Sequence, residues 1–237
     1  FEAGSFSDTT VLDGKAIFDV GSVDTDDDTY TGETQFMYTY TLNLNTSFTG
    51  DDNLYTRIKT GNHSSWSKTK SVYNTYLSSG NGNGDVLKVD KLWYSTPVGE
   101  RHTVTVGPLI ENYYMHATTP SIYEPVLKAF TLGGNAAGYG ASTSPGAGWA
   151  YRADNGFAVS SNITSKNPVL TDEGKSSWAT QVGYTKSNYS VSALLNVKAN
   201  GWTDSYFMST DGKARPGEGG SSNVGLRSWW RPENSST

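Results

Sequence analysis

Residues 36–45 alternate between two kinds of side chain. Phe36, Tyr38, Tyr40, Leu42 and Leu44 are apolar, and Met37, Thr39, Thr41, Asn43 and Asn45 fall between them. A strand sends successive side chains to opposite faces, so this segment has one greasy face and one mostly polar face. Two architectures accept that pattern. A soluble sandwich buries the greasy face against a second sheet, and a membrane barrel turns it outward to lipid.

Nine further segments read as strands: 11–20, 53–61, 86–96, 101–107, 147–153, 156–164, 177–186, 189–199 and 222–231. The fourth strand in chain order, 86–96, is the least regular. Its period puts Leu87, Val89 and Trp93 on one face together with Lys91. The connections favour the second architecture. Phe48–Asp52, Pro97–Glu100, Asp154–Asn155 and Ser187–Asn188 are short and rich in turn formers. The others, 21–33, 62–85, 108–146, 165–176 and 200–221, are long. Short and long alternate without exception, as in outer-membrane barrels, and a Greek-key sandwich has no reason to sort its loops this way. The expected fold class is all-β, an antiparallel transmembrane β-barrel of porin type. Ten strands are present over residues 1–237, and the polar Asn-Ser-Ser-Thr ending, without a closing aromatic strand, suggests an arc of a larger wall.

Composition agrees and excludes several function classes. Charged residues make up 17% and the net charge is −5, with Lys and Arg scattered, so nucleic acid is not an expected partner. No cysteine is present, which removes disulfides, thiolate chemistry and most zinc templates. No run of about 18 apolar residues exists to form a membrane-crossing helix. A mean hydropathy of −0.52 is compatible with a barrel, because alternating strands average out as polar.

The long loops are polar and Gly-rich. Residues 78–85 read as a flexible tip. The longest connection, 108–148, is a candidate pore constriction, since so long a loop in a compact protein is usually functional. Ser121 to Phe130 suits a short helix, residues 133–148 are nearly all small, and Glu111, Glu124 and Lys128 supply sparse charge.

No catalytic or metal site is expected, and no cofactor. Asp24–Asp28 is acidic but lacks the Gly and distal Glu of a calcium loop, so a solvated external loop is the better reading. His63, His102 and His116 show no metal-ligand spacing, and His102 falls on the apolar phase beside a turn, which suits an interfacial role. Carboxylates are scattered without a recognisable acid–base pair. Arg57, Lys59, Lys88, Asp90, Arg101, Lys198 and Arg227 lie mainly on the polar phase. In a barrel they line the lumen; in a soluble protein they face water. Arg57, Lys59 and Arg101 are expected close together, with only weak ion preference because the signs are mixed. Trp93, Trp178, Tyr184, Tyr189 and Trp230 lie near strand ends, where interfacial girdles belong. No aromatic ladder stands out on the inward phase.

The chain also resembles a known family. Residues 9–20, Thr-Thr-Val-Leu-Asp-Gly-Lys-Ala-Ile-Phe-Asp-Val, are similar to the first barrel strand of cyanobacterial outer-membrane porins, with Lys15 where an acidic residue is usual. Residues 42–62 and the run Val224-Gly225-Leu226-Arg227-Ser228-Trp229-Trp230-Arg231-Pro232 resemble further family signatures. These are the iron-uptake or carbohydrate-selective (OprB-like) porins. The resemblance implies a homotrimer in outer-membrane lipid, a barrel of about sixteen strands by analogy of which residues 1–237 are the N-terminal part, and passage of small ions and solutes. It also implies contact with peptidoglycan only through an N-terminal surface-layer-homology domain that lies outside this chain. The function expected is passive diffusion of inorganic ions and other small solutes. The alternative is a soluble secreted β-sandwich that binds or hydrolyses carbohydrate.

Overall fold

Every alternating segment becomes a strand in the computed structural model, which describes residues 8–68, 75–119, 121–140, 142–169, 171–202 and 219–232. The strands are β1 (Thr10–Gly21), β2 (Gln35–Thr46), β3 (Asn53–Gly61), β4 (Lys88–Val98), β5 (His102–Ile110), β6 (Ser144–Arg152), β7 (Phe157–Ser165), β8 (Ser176–Thr185), β9 (Tyr189–Ala199) and β10 (Ser221–Trp230). They form one antiparallel sheet in sequence order, each strand beside the next. β1 and β10 each have one neighbour, so the sheet is open.

The long–short alternation survives. Connections 47–52, 99–101, 153–156 and 186–188 sit at one end of the sheet, and the long ones at the other. Most of the connection 200–221 and the tail 234–237 lie outside the described residues. The first short turn shows how local chemistry closes a hairpin. The Asp52 carboxylate accepts from the Phe48 and Thr49 amides at 2.9 and 2.8 Å and from the Ser47 hydroxyl at 2.8 Å. Gly50 supplies the positive φ of 101° that the turn requires.

The two faces carry an inverted burial pattern. On β2, Met37, Thr39 and Thr41 are buried while Phe36 is 69% exposed. On β8, Ser177, Ala179 and Gln181 are buried between the exposed Trp178 and Val182. On β9, Ser190, Leu194, Asn196 and Lys198 are buried, and Tyr189, Val191, Leu195 and Val197 are exposed. The bare face continues through Phe18, Val104, Val106, Val224 and Leu226. His102 belongs to this face near the short-turn end, where Trp149 Nε1 donates to its Nδ1 at 3.0 Å.

The polar face is covered by the connection 111–143. It holds the small apolar cluster of Tyr139, Ala179 and Leu194, joined by Tyr113 and Leu132. Two expectations for loops fail here. Residues 121–127 form no helix; only a 3₁₀ segment begins at Lys128. Pro125 removes a donor from the middle of the expected helix, and the chain instead bridges extended from Leu127 to Leu77. Nor is 78–85 a free tip. Thr39 Oγ1 donates to the Ser79 carbonyl at 2.7 Å, the His63 amide donates to Asn81 O at 3.0 Å, and Asn83 donates to the carbonyls of Lys59 and Val86.

Strand β4 carries the one irregularity that changes chemistry. Arg57 pairs with Lys91, but Ile58 pairs with Val89, so Asp90 is an extra residue. This bulge shifts the phase by one. Val89 stays on the apolar face, whereas Lys91 and Trp93 turn to the polar face, against the simple period-two expectation. Trp93 is therefore not a girdle residue.

Candidate functional site

The loop 111–143 is fastened to the sheet by uncharged polar side chains. Asn112 is fully buried. Its Nδ2 donates to Asn162 Oδ1 and to the Ser177 carbonyl, both at 2.8 Å, and its Oδ1 accepts from Thr164 Oγ1 at 2.8 Å. Ser160 Oγ accepts from the Ala117 amide and Gln181 Oε1 from the Thr118 amide, each at 3.0 Å. Arg152 donates to the carbonyls of His116 and Ala117. His116 sits inside this seam, and burial pushes its imidazole down to about 3, so it is neutral. Glycine lets the loop come this close: a Cβ at Gly148 would stand 2.9 Å from Met115 Sδ. The far end of the loop is held by Arg227, which donates to the Leu132 carbonyl and lies over the Tyr139 ring, 5.5 Å from its centroid.

The loop covers β6–β10 and leaves a cavity over β1–β4. That cavity measures about 810 Å³. Arg57, Lys59, Lys91, Lys15 and Lys128 line it, with Asp13, Asp90 and Glu111 as its carboxylates. Arg57 makes a two-pronged pair with Asp90 at 2.8 and 2.7 Å and donates to the Tyr114 hydroxyl at 3.1 Å. Lys91 Nζ lies 3.7 Å from Glu111 Oε1, with both side chains 5% exposed, and also bonds Thr143. Such a pair is stable in a low-dielectric site only when both members stay hydrogen-bonded, a condition that Thr143 helps meet by donating to Glu111 at 3.3 Å. Burial draws the Lys128 ammonium down to about 8. A second cavity of about 630 Å³ abuts the first, and Lys15, Thr41, Lys59, Ser78 and Tyr113 line both.

An aromatic stack runs beside the cavities, with Tyr55 and Tyr113 lining the larger and Tyr113 and Tyr114 the smaller. Tyr55 and Trp93 are stacked at 4.2 Å, Trp93 meets Tyr114 at 4.7 Å, and Tyr114 meets Tyr113 at 4.2 Å. The sequence reading finds no inward aromatic ladder because it places Trp93 on the other face. The bulge at Asp90 is what brings Trp93 to Tyr55.

The expected site residues divide accordingly. Arg57, Lys59 and Asp90 line the cavity, and so do Glu111 and Lys128 from the loop. Lys88 is exposed, opposite Lys59 in register. Glu124 is exposed and pairs with Lys15 at 3.4 Å. Lys198 is buried between Ser177 and Ser221 on the loop-covered side. Arg227 holds the loop. Arg101 does not join Arg57 and Lys59. It lies in the β4–β5 turn and pairs with Asp154 at 2.5 Å. The register puts it eight residues along the strand direction from Arg57, roughly 26 Å at the usual strand rise. Neighbouring strands do not bring residues together when they sit at opposite ends.

Lys91, Trp93 and Asn112 are the residues that sequence reasoning missed. Lys91 carried a signal: a lysine on an apolar phase marks a break in that phase. Among the described residues, no three His, Asp or Glu side chains gather as a metal-ligand set.

No known family profile matches the chain. Among curated proteins it is similar to an uncharacterized protein of Nostoc sp. strain PCC 7120, 29% identical over 171 residues, covering 68% of this chain and 28% of that protein. It is also similar to an uncharacterized protein of Synechocystis sp. strain PCC 6803, 30% identical over 115 residues, covering 47% of this chain and 21% of that protein. The matched part thus spans about a quarter of the length of these relatives.

Proposed function

We propose that the chain forms part of the wall of an outer-membrane porin, a β-barrel through which inorganic ions and other small solutes diffuse passively. The observation that carries this reading is the inverted sheet. Phe18, Phe36, Val224 and Leu226 are 67%, 69%, 76% and 82% exposed, whereas Ser160, Thr164, Ser177 and Asn196 are fully buried. A contiguous apolar face of this extent in water marks an interaction surface. Lipid is the partner that suits a band running across all ten strands, with aromatic residues such as Trp149 and Tyr189 near the short-turn end. The sandwich alternative needs a second sheet over that face. Among the described residues all ten strands belong to one sheet, and the covering loop lies on the other side. The loop folded over the polar face, with a charged cavity beside it, suits a constriction within a wider lumen.

The test is site-directed spin labelling, which the absence of native cysteine makes clean. A label at Phe18 in bilayers should be relaxed by lipid-soluble oxygen, and one at Asn43 by a water-soluble paramagnet. The opposite accessibility would remove the membrane reading.

A further inference from the structure

We propose that the cavity over β1–β4 is an anion filter, which makes small inorganic anions the preferred solutes of the channel; this rests on the porin reading above. The whole chain is acidic, with 23 Asp and Glu against 18 Lys and Arg. The cavity lining reverses that balance. Lys15, Arg57, Lys59, Lys91 and Lys128 face it, against Asp13, Asp90 and Glu111. The abutting cavity is lined by Lys15, Lys59 and Arg152 against Glu124 alone. Both spaces therefore carry excess positive charge within a negative protein.

Pairing leaves that excess unchanged, because each carboxylate taken up takes a cation with it, as Glu124 takes Lys15 at 3.4 Å. Asp90 is taken up by the two-pronged contact with Arg57. Glu111 is the shared carboxylate of Lys91, at 3.7 Å, and of the nearby Lys128. Asp13 accepts from the Asn43 amide at 2.6 Å. Lys59 forms no ion pair among the described residues, and it lines both cavities. An ion passing from one space to the other meets Lys59 on β3 and Lys15 on β1, with the loop's Lys128 beside the larger space. Neutral hydroxyls of Thr41, Ser78 and Tyr113 complete that neck and can donate to an anion that has shed part of its water. Cations are disfavoured at the same place by the same charges.

Coulomb's law in water at about 5 Å gives roughly a fourfold change in local anion concentration for each unit charge removed. Salt screening over a Debye length leaves contacts this short largely intact.

The experiment is the reversal potential of the whole porin, of whose wall this chain is part, in planar bilayers under a potassium chloride gradient. Wild type is expected to favour chloride. The double variant Lys59→Gln, Lys128→Gln should lower the chloride-to-potassium permeability ratio by well over tenfold, since about fourfold per charge acts on chloride and inversely on potassium, and Arg101→Gln, at the turn, should leave it unchanged. Inorganic phosphate added to one side should reduce wild-type chloride current more than that of the double variant. Current that favours potassium in wild type, or an unchanged ratio in a conducting double variant, overturns the anion filter and leaves the channel standing. Absence of any current from wild type removes the channel reading itself.

Discussion

Replacing Asn112 by alanine should release the loop from the sheet. Asn112 is fully buried and makes three contacts at 2.8 Å, to Asn162, to the Ser177 carbonyl and from Thr164. Each such bond contributes about 1 kcal/mol net, and each partner left buried without a replacement costs at least as much. The docking of residues 111–119 should weaken by about 3 kcal/mol. At 1.4 kcal/mol per tenfold, the open population rises by about a hundredfold. Hydrogen exchange reads this directly, because the Ala117 and Thr118 amides are covered by Ser160 and Gln181 only while the loop is docked. Exchange at those amides should accelerate by about that factor, while β2 amides keep their rates. In bilayers the same variant should show larger and noisier single-channel steps. If exchange at Ala117 and Thr118 changes by less than about threefold, the asparagine does not hold the loop and the seam derives its strength elsewhere.

Three other perturbations follow from the same geometry. Glu111→Ala leaves the Lys91 ammonium buried without its carboxylate and should cost about 3 kcal/mol in thermal or denaturant unfolding, whereas the double variant Lys91→Met, Glu111→Leu should recover most of it. Lys128 has its ammonium held down to about 8 by burial, against about 10.4 in the unfolded chain. Between those values the unfolded chain binds the extra proton, so stability should rise with pH across that window, and the anion preference of the current should fall as Lys128 discharges above about pH 8. Asp52 is held well below the usual carboxylate range, chiefly by the Thr49 amide. Its contribution to the β2–β3 turn is present above about pH 4 and lost as pH falls, so Asp52→Ala should lower the melting temperature at neutral pH and blunt its acid dependence; equal melting curves would show that the turn forms without the carboxylate.

The strands were legible in the sequence because a two-residue period needs only local information. Segments 53–61 and 189–199 match β3 and β9 residue for residue. The period fails where one residue is inserted. On β4 every position beyond Asp90 changes face, so Lys91 and Trp93 leave the apolar side and create the ion pair with Glu111 and the stack with Tyr55. A lysine in the apolar phase was the visible trace of that bulge. The separation of Arg101 from Arg57 is not legible in the sequence for a different reason: strand adjacency says nothing about height along the strands, and height depends on register.

The polar phase itself has two functions that alternation alone does not separate. On β6–β9 it is mostly neutral, with Ser160, Asn162, Thr164, Ser177, Gln181, Ser190 and Asn196. On β1–β4 it holds Asp13, Lys15, Arg57, Lys59 and Lys91, with Asp90 at the bulge. Neutral donors and acceptors can be buried at little cost once each finds a partner, and the loop backbone supplies those partners. Charges keep their stability only with water or an opposite charge nearby. The loop therefore packs most closely where the sheet is neutral, and over β1–β4 it leaves a cavity in which charges meet open space or an opposite charge, as Lys91 meets Glu111. The position of the loop thus follows from how charge is distributed among the strands, and on the proposed porin reading the same distribution leaves the path of a solute over β1–β4.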